Sequence, residues 1–282
     1  MSWLRNAAHE VVDGLLDAVL RSGWAARLAY RLGLQGSVRL RTVALRLRPT
    51  SSRPPLRVGF ASDFHGGPAT DPKLIAEACR TLAAARPDVL LFGGDYVSIN
   101  VGHVDEVATA LGSIPAPLGR FGVLGNHDYR RRRAGIVTRA LELKGIEVLH
   151  NGSARLPAPH DDVWICGMDD ALMGRPDADE TFADADGTRL LVMHGPDGLL
   201  EVGDHRFDLA LCGHTHGGQV SLPGGKPLIL PAGTLNRRYS HGLFHLGGER
   251  GGPHLLVSCG VGCSGIPVRL FAWPEVHLLE LT

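Results

Sequence analysis

The residues with the clearest capacity for chemistry are His214 and His216, two positions apart after the apolar run Leu209–Cys212. This short run, bounded by glycine, predicts a buried strand. Alternate side chains of an extended backbone point to one face, so both imidazoles can enter the same pocket. Imidazole nitrogens suit transition metals, and the glycines beside them permit sharp turns and close backbone approach. A polar turn that happens to contain two histidines is the alternative, and partners from other strands must decide between the two.

Four other predicted strands also end in side chains that can bind a metal. In open α/β sheets, ligands bind beyond the carboxyl ends of the strands, so these groups are expected to meet in one cleft. A single Zn²⁺ takes about three or four ligands. The candidates exceed that number and suit two metals, about 3.5–4 Å apart, that share a carboxylate. Turn residues that follow strands by chance are the alternative, which five such strand ends argue against. The predicted ligands are Asp63, His65, Asp95, Asn126, His194, His214 and His216.

Two cations in this cleft would neutralise the charge of a phosphate ester. Water that bridges them becomes acidic enough to supply hydroxide near neutral pH, and in-line attack at phosphorus would expel the ester oxygen. Mixed nitrogen and oxygen donors without thiolate favour Mn²⁺, with Fe or Zn²⁺ as alternatives. The sequence therefore predicts a hydrolase that carries two divalent transition-metal ions.

The elements that must position these ligands alternate regularly from Leu56 onward. Apolar runs predict strands, and segments with helical periodicity that end at proline or glycine predict helices. This alternation predicts an α/β fold with a β-rich C-terminus. The predicted strands are 38–48, 56–61, 89–92, 121–124, 148–150, 163–167, 190–193, 209–212, 255–259 and 276–281, and the predicted helices are 72–86, 103–112 and 134–144.

Composition limits the partners and the compartment. The 282 residues carry 29 basic and 29 acidic side chains, so no overall field attracts nucleic acid, and none is expected as a partner. Five cysteines without paired spacing predict reduced thiols in a reducing compartment. The sequence has no signal-peptide pattern and no apolar run of bilayer length, so we expect a cytoplasmic protein.

The charge balance hides a basic N-terminal segment. Residues 1–57 contain ten arginines and three acidic residues, so the remainder is net acidic. Residues 9–34 have helical periodicity, as one helix or as two broken near Gly23. One interpretation is an amphipathic helix in peripheral contact with an anionic membrane, with Trp24 at the interface. The other interpretation packs the helix on the main domain. The apolar side chains that packing would bury are Leu16, Leu20 and Leu28.

In order along the chain, the predicted ligands and their neighbours resemble the motif blocks of the calcineurin-like metallophosphoesterases. Five blocks with every ligand retained run from about residue 56 to 220. The extended blocks at 125–129 and 213–219 resemble a bacterial branch that includes small phosphodiesterases and UDP-2,3-diacylglucosamine pyrophosphohydrolases, and that often has a membrane-directed N-terminal segment. The blocks are Asp63-Phe64-His65, Gly94-Asp95, Gly125-Asn126-His127-Asp128-Tyr129, His194 and Gly213-His214-Thr215-His216-Gly217-Gly218-Gln219.

The resemblance implies an α/β fold, a four-layer α-β-β-α sandwich of two mixed sheets with an N-terminal helical extension. The implied domains are an amphipathic helical extension at 1–37 and a metallophosphoesterase domain at 38–282. Metal one would be held by Asp63, His65, His216 and the bridging Asp95. Metal two would be held by Asp95, Asn126, His194 and His214.

The resemblance also assigns roles outside the ligand set. His127 would lie beside the phosphate and stabilise or protonate the leaving oxygen. Asp128 would orient His127 or its loop. Two departures from the family pattern, Phe64 and the Gly-Pro step after His194, remove no ligand.

The implied function is hydrolysis of a phosphodiester or pyrophosphate bond, on a lipid-linked substrate if the protein docks peripherally on the inner membrane. A nuclease or nucleotide phosphodiesterase of the same fold is one alternative, but a nuclease would need a basic cleft, and the domain is net acidic. A non-catalytic scaffold on this fold is another alternative. It predicts that some ligands or His127 have been lost, but the sequence retains all of them. Weaker candidates for substrate contact are Arg130–Arg133 and Arg237–Tyr239, whereas Cys259 and Cys263 are expected to pack in the interior.

Overall fold

The computed structural model describes Leu20 and residues 22–47, 53–98, 100–247 and 252–282. Within these ranges the strands are β1 Arg39–Leu45, β2 Leu56–Ala61, β3 Val89–Phe92, β4 Arg120–Gly122, β5 Glu147–Val148, β6 Gly152–Arg155, β7 Val163–Gly167, β8 Thr188–Val192, β9 Leu209–Cys212, β10 Gly242–His245, β11 His254–Val257 and β12 Glu275–Leu281. The helices are α1 Trp24–Arg31, α2 Pro72–Ala85, α3 Val104–Gly112, α4 Asn126–Tyr129, α5 Ala134–Glu142 and α6 Ala178–Phe182.

These strands form two mixed sheets. The first has the order β1-β12-β2-β3-β4-β5, in which β2 to β5 are parallel and β12 runs antiparallel to β2. The second has the order β10-β11-β9-β8-β7-β6, in which the four inner strands are parallel and both edge strands are antiparallel. The carboxyl ends of the parallel strands therefore lie at one edge of each sheet, as the ligand positions require.

The layers follow from strands that are apolar on both faces. In β3, Val89 and Leu91 contact the second sheet, while Leu90 and Phe92 face the helices. A strand buried on both sides needs such a continuous apolar run, which is why β3 has no polar alternation. Helices α2, α3 and α5 cover the outer face of the first sheet, and α6 with several loops covers the second. The predicted sandwich of two mixed sheets flanked by helices is confirmed.

Several polar contacts attach the described part of the N-terminal segment to the domain, where Tyr30 and Val38 also pack against the core. Gly23 has a left-handed backbone (φ 64°), and α1 begins directly after it. The Glu77 carboxylate of α2 accepts hydrogen bonds from the Tyr30 hydroxyl (3.4 Å) and the Val38 backbone N–H (3.0 Å). The buried Gln35 side chain donates to the Ala69 carbonyl (2.7 Å). The predicted boundary between an extension at 1–37 and a domain at 38–282 stays a prediction.

The two interpretations of the N-terminal helix differ in what they bury. Of the side chains that packing on the domain was expected to bury, Leu20 is buried, whereas Leu28 is 49% exposed. Leu16 and most of the predicted helix before Gly23 lie outside the described residues. Helix α1 instead turns two alanines towards the domain, Ala26 and Ala29. No helix in the described ranges combines the length and apolar content that crossing a bilayer requires.

The edge strands β6 and β10 were not predicted from the sequence. β6 consists of Gly, Ser, Ala and Arg, which have low intrinsic strand preference. β10 is only four residues long and begins at Gly242, which has φ 104°. Both strands form by pairing with a neighbouring strand of the second sheet, β6 with β7 and β10 with β11. The backbone hydrogen bonds of that pairing, rather than local sequence, specify them.

Glu275, the first residue of β12, is a buried carboxylate in the second strand of the first sheet, paired with Arg39 of the edge strand β1. It accepts hydrogen bonds from the Cys259 backbone N–H (2.9 Å) and from Arg41 Nε (3.2 Å), and His277 Nε2 lies 3.4 Å from it. Burial by itself raises the pKa of Glu275, but His277, the Cys259 amide and Arg41 outweigh burial and lower the pKa to about 2. The carboxylate is therefore ionised throughout the physiological range.

Replacing Glu275 with Gln should remove a pH-dependent part of the stability. A carboxyl group with a lower pKa in the folded chain stabilises the fold above its unfolded pKa, and this contribution disappears as the pH falls through the folded pKa. The wild-type free energy of unfolding should therefore fall between about pH 5 and pH 2, with a variant deficit at pH 7 on the order of 2 kcal/mol. Urea titrations at several pH values measure both, with Glu142→Gln as the exposed control. Identical pH profiles for the two variants would contradict this account.

Candidate metal centre

Three predicted ligands of metal one meet at the carboxyl ends of β2 and β9. His65 Nε2 and His216 Nε2 are 2.9 Å apart, and His216 Nε2 lies 3.4 Å from Asp63 Oδ1. Asp63 Oδ1 is 4.0 Å from His65 Nε2. All three side chains are buried, and their donor atoms point towards one another. This group is the first of two donor clusters, and we call it cluster one.

Cluster two contains Asn126, His194 and His214. His194 Nε2 lies 3.1 Å from Asn126 Oδ1 and 3.2 Å from His214 Nδ1. His194 Nδ1 is 2.8 Å from the Gly93 carbonyl, which can only accept a hydrogen bond. Burial by itself lowers the pKa of His194, but the charge of Asp95 outweighs burial and raises that pKa well above its usual value. Nε2 therefore carries a second proton, which a metal ion would displace, while Nδ1 keeps its own.

Asp95 joins the two clusters. Its Oδ2 lies 3.4 Å from His65 Nε2 and 3.3 Å from His194 Nε2. Protein ligands bind such metals at about 2.0–2.2 Å, which leaves neighbouring donor atoms of one ion about 3–3.5 Å apart. The observed spacings within each cluster and from each cluster to Asp95 are 2.9–3.4 Å, close to that separation, except for the 4.0 Å between Asp63 Oδ1 and His65 Nε2. The residues therefore fit two metal ions that share the Asp95 carboxylate.

Burial sets the protonation of these donors. It lowers the pKa of His65 and His216 well below the usual value, and it lowers that of His214 to about 4. Burial opposes ionisation of Asp95, but the charge of His194 and of other imidazoles outweighs it and keeps the pKa of Asp95 well below its usual range. Neutral imidazoles and an ionised bridging carboxylate are the forms that bind a divalent cation.

The backbone at the strand ends is held in an uncommon conformation. Positive φ values are uncommon for residues other than glycine and cost on the order of 1–3 kcal/mol each, and they concentrate at functional sites. Five of the seven predicted ligands have them: Asp63, His65, Asp95, His214 and His216. A second constraint acts at Gly213, where an added Cβ would overlap Asp63 Oδ2 and Ser62 Oγ. The glycine before the His-Thr-His motif is therefore required for close approach to a ligand.

His127 lies beside cluster one and Asp95, and it is outside the predicted ligand set although one of its ring nitrogens is near donor atoms of His65 and Asp95. Its ring centroid lies 4.8 Å from that of His65, edge to face, and its backbone N–H donates to Asp95 Oδ1 (2.8 Å). Its Nδ1 is 3.0 Å from the Ser98 carbonyl, so Nδ1 carries a proton and donates it. Burial lowers the pKa of His127 below its usual value. The free Nε2 is then the atom available for proton transfer.

Asp128 lies beneath the Asp95 turn. In the described part of the chain its carboxylate accepts hydrogen bonds from four backbone amides, those of Asp95 (2.9 Å), Tyr96 (3.0 Å), Val97 (3.3 Å) and Gly125 (2.9 Å). The side chain therefore ties the loop after β3 to the loop after β4. Of the two roles predicted for Asp128, this geometry corresponds to orienting the loop.

Sequence reasoning missed two buried carboxylates at the same edge of the second sheet. Asp169 and Asp170 closely follow β7, so the strand-end rule that selected the other ligands also applies to them. The Tyr129 hydroxyl donates to Asp169 Oδ1, and His150 Nε2 lies 3.5 Å from Asp169 Oδ2. Burial raises the pKa of Asp170, which lies close enough to His194 for the charges to interact.

The weaker candidates lie on the surface or in the core. Arg131 and Arg132 are exposed, with left-handed backbones (φ 55° and 57°). Arg237 and Arg238 are also exposed, whereas Tyr239 packs on the second sheet. All five cysteines are buried free thiols, so the expectation that Cys259 and Cys263 pack in the interior agrees with their positions.

Comparison with known proteins identifies similar sequences and a similar fold. A family model described as calcineurin-like phosphoesterase matches residues 56–218. Phosphodiesterase YaeI of Escherichia coli (strain K12) is 34% identical over 237 residues, which cover 80% of this chain and 82% of the relative. The uncharacterized metallophosphoesterase YkuE of Bacillus subtilis (strain 168) is 30% identical over 206 residues, which cover 71% and 70%. Haemophilus influenzae NAD nucleotidase has a similar fold (TM-score 0.50, 12% identity), covering 74% of this chain and 46% of that one.

Replacing Asp128 with Asn should destabilise the metal-free protein. The Asn amide nitrogen cannot accept, so two of the four backbone N–H groups lose their acceptor. Each unpaired buried donor costs about 1–3 kcal/mol, so we expect a loss on the order of 3 kcal/mol. Urea unfolding in the presence of chelator measures this change without a contribution from metal binding.

The matched control for this experiment is Asp177→Asn. Asp177 accepts the Glu180 backbone N–H at the start of α6, far from the clusters in sequence. The control should cost at most a few tenths of a kcal/mol, because Asn keeps an acceptor oxygen and caps a helix about as well as Asp. Equal losses for the two variants would show that Asp128 has no special role in holding the Asp95 turn.

Proposed function

Because the chain belongs to the calcineurin-like phosphoesterase family, and is therefore a metal-dependent phosphoric ester hydrolase, we propose that it uses two divalent metal ions to hydrolyse a phosphodiester or pyrophosphate bond. The single observation that supports this is the sharing of Asp95 between two clusters of buried nitrogen and oxygen donors. The mixed donor set without thiolate favours Mn²⁺, with Fe or Zn²⁺ as alternatives. Cluster one with Asp95 would hold one ion, and cluster two with Asp95 the other.

When bound, the two ions neutralise phosphate charge and lower the pKa of the attacking water. The remaining steps belong to the chain. His127 keeps one proton on Nδ1, bound to the Ser98 carbonyl, so Nε2 is the atom that would take up a second proton from solvent and give it to the departing ester oxygen. Asp95 accepts the His127 backbone N–H and so keeps this ring beside the clusters. Asp128 holds the Asp95 turn through its amide contacts.

Two other functions compete with this proposal. A nuclease or nucleotide phosphodiesterase would use the same centre, but residues 58–282 carry 19 basic and 26 acidic side chains, which disfavours a nucleic-acid cleft. A non-catalytic scaffold needs neither a complete ligand set nor His127, and this chain retains both. We therefore favour a small or lipid-linked phosphate ester over nucleic acid.

Metal content and activity should separate the roles of Asp95 and His127. Wild-type protein is expected to bind two Mn²⁺ per chain and to lose hydrolysis of bis-p-nitrophenyl phosphate on chelation. His127→Ala should lower turnover by about 10²–10⁴-fold, the usual contribution of general acid catalysis, while retaining both ions. Asp95→Asn should lower both metal content and turnover, because one oxygen serves both clusters. Elemental analysis and initial rates measure the two quantities.

The outcomes that contradict the proposal are distinct. At most one ion per chain after saturation would exclude the two-metal centre. Loss of metal in His127→Ala would show that His127 is a ligand rather than a proton donor. Cleavage of DNA at a rate comparable to that of the small diester would favour the nuclease alternative.

We further propose that the substrate is lipid-linked, because a large apolar surface adjoins the clusters. Three segments contribute to it, and hydrogen bonds join them: the Arg269 backbone N–H donates to the Leu34 carbonyl (2.7 Å) and the Ser221 N–H to the Leu270 carbonyl (2.8 Å). The three segments are 24–34, 221–229 and 266–271, and the segment 221–229 follows the ligand turn of His216 closely. We call this surface the apolar face; its members, each 37–77% exposed, are Trp24, Leu28, Leu32, Leu34, Leu222, Leu228, Ile229, Ile266, Leu270 and Phe271.

The charge around the apolar face favours an anionic membrane. The sequence has no Asp or Glu at 18–62, 209–248 or 250–274, which include all three segments. Exposed basic residues lie among them, including Arg27 and Arg31 on α1. Each basic side chain near an anionic surface contributes about 1 kcal/mol. We therefore propose a cytoplasmic enzyme in peripheral contact with the inner leaflet, where Trp24 and Leu28 of α1 form one stripe with Leu32, the residue that follows the helix.

Vesicle sedimentation should test the membrane contact. The full chain is expected to pellet with vesicles of phosphatidylglycerol and to remain in the supernatant with phosphatidylcholine. The triple variant Trp24→Ser, Leu28→Ser, Leu32→Ser should lower binding about tenfold or more, since apolar burial of these side chains adds to the attraction of the arginines.

The control carries Ile136→Ser and Leu143→Ser, two exposed side chains (53% and 64%) that lie outside the apolar face. It should bind vesicles like the wild type. Hydrolysis of a soluble diester by the triple variant should stay within about twofold of wild type, because the stripe lies outside the clusters. If the wild type ignores anionic vesicles, or if both variants lose binding equally, the membrane proposal fails while the hydrolase remains.

A further inference from the structure

A single loop contacts the turns that carry both histidines of cluster two. It consists of residues 231–236, which follow the part of the chain that matches the family. The loop reaches the His214 ring through the Ala232 carbonyl. Its middle is bound by Asp197, which lies three residues after His194. The sequence analysis assigned this loop no role.

The Ala232 carbonyl determines which nitrogen of His214 faces the metal. Its oxygen lies 3.4 Å from His214 Nε2. Because a carbonyl can only accept a hydrogen bond, the proton of the neutral ring is on Nε2. The lone pair is then on Nδ1, which lies 3.2 Å from His194 Nε2 in cluster two. The carbonyl therefore directs Nδ1 towards metal two, as acceptors behind metal-bound histidines usually do.

A buried amide fixes the position of the Ala232 carbonyl. Asn236 is 1% exposed, and its Nδ2 donates to the carbonyls of Ala232 (3.1 Å) and Pro231 (3.2 Å). Its Oδ1 is buried and has no hydrogen-bond partner among the described residues. The reverse orientation of the amide would place Oδ1 against two carbonyl oxygens, so the carbonyls decide the orientation. A buried acceptor without a partner is costly, so the two donors are what this amide contributes.

Asp197 is the other anchor of the loop. Its Oδ2 accepts the Thr234 backbone N–H and its Oδ1 accepts the Leu235 backbone N–H, both at 2.7 Å. Hydrogen bonds to a carboxylate are stronger than those between neutral groups, so this pair holds the middle of the loop. Asp197 belongs to the 3₁₀ turn Pro196–Leu200, which begins two residues after His194. The turn of one ligand therefore holds the loop whose carbonyl orients the other ligand.

We propose that Asn236 and Asp197 are positioning residues for metal two, which act through this loop by fixing the carbonyl that orients the His214 ring. The inference rests on the proposed two-metal function. Loss of a group that orients a metal ligand typically weakens metal affinity 10–100-fold. In the described hydrogen bonds the loop reaches His214 and none of the three ligands of cluster one. Its displacement should therefore affect the two ions unequally.

The test is stepwise Mn²⁺ binding by the full chain, measured by calorimetry and by electron paramagnetic resonance. Asn236→Asp keeps the shape of the side chain but places an oxygen where Nδ2 donates, so it should repel both carbonyls. Asp197→Asn replaces one accepting oxygen with an amide nitrogen, so one of the two backbone N–H groups loses its acceptor. In both variants one Mn²⁺ should bind within about threefold of wild type, and the other about tenfold more weakly. The spectrum of a coupled Mn²⁺ pair should accordingly give way to that of an isolated ion.

Two background variants identify the weakened ion. His216→Ala removes a ligand of cluster one and leaves cluster two complete with Asp95, and His194→Ala does the reverse. In the first background, Asn236→Asp should weaken the remaining Mn²⁺ about tenfold. In the second background it should change the affinity by less than about twofold, because the loop does not contact cluster one.

Gln35→Glu is the matched control. Gln35 is also a buried amide whose nitrogen donates to two backbone carbonyls, those of Ala69 (2.7 Å) and Pro267 (3.3 Å). In the described hydrogen bonds it contacts no ligand of either cluster, so the control should bind both ions like the wild type. Thermal unfolding without metal, measured on all variants, separates a general loss of stability from an effect on one ion.

The outcomes distinguish this inference from the function on which it rests. If the wild type binds two ions and both loop variants bind them with unchanged affinity, the positioning role is overturned and the two-metal function stands. Equal weakening of both ions, or weakening of the same size in Gln35→Glu, overturns it as well, because a general loss of packing would act on the whole centre. If the wild type binds a single ion, the two-metal function fails first. Should one loop variant not fold, the other decides.

Discussion

The arrangement of the whole site depends on the Asp95 carboxylate. One of its oxygens lies between His65 and His194, which come from different sheets, and the other accepts the His127 backbone N–H. A single side chain therefore fixes the distance between two donor clusters and the place of the proposed proton donor. Electrostatic interactions are strong in a buried site. The negative charge of Asp95 would therefore also balance the positive charge of the metal ions that we propose the surrounding imidazoles bind.

Bringing these donor atoms together requires positive-φ backbone conformations, which residues other than glycine rarely adopt. Five predicted ligands adopt left-handed conformations, and such strain persists only where the surrounding structure holds it in place. The two packed sheets provide that support, since each ligand follows a strand buried on both faces. Asp128 adds four backbone hydrogen bonds beneath the Asp95 turn, and Arg269 adds four contacts behind His216. The strain is thus offset by contacts outside the ligand set.

Acidic residues are unevenly distributed between two parts of the molecule, the domain after residue 57 and the segments that form the apolar face. The domain after residue 57 is net acidic, whereas the segments of the apolar face contain no acidic residue. The C-terminal loop links the two parts: the Arg269 side chain contacts His216, and its backbone N–H donates to the Leu34 carbonyl of the N-terminal segment.

The sequence by itself determined the features that are local or periodic. Apolar runs located β2, β3, β7 and β9 at their observed bounds, and the polar residues after β2, β3 and β9 predicted five of the seven candidate ligands, because ligands of α/β sheets follow strand ends. Tertiary structure decided the contacts between residues far apart in the chain. Only the packing of two sheets shows which donors share Asp95, that Asp128 binds backbone amides, that Leu28 is exposed, and that Arg269 reaches His216. These contacts depend on which strands become neighbours, and strand pairing is set by the free energy of the whole core rather than by any local pattern.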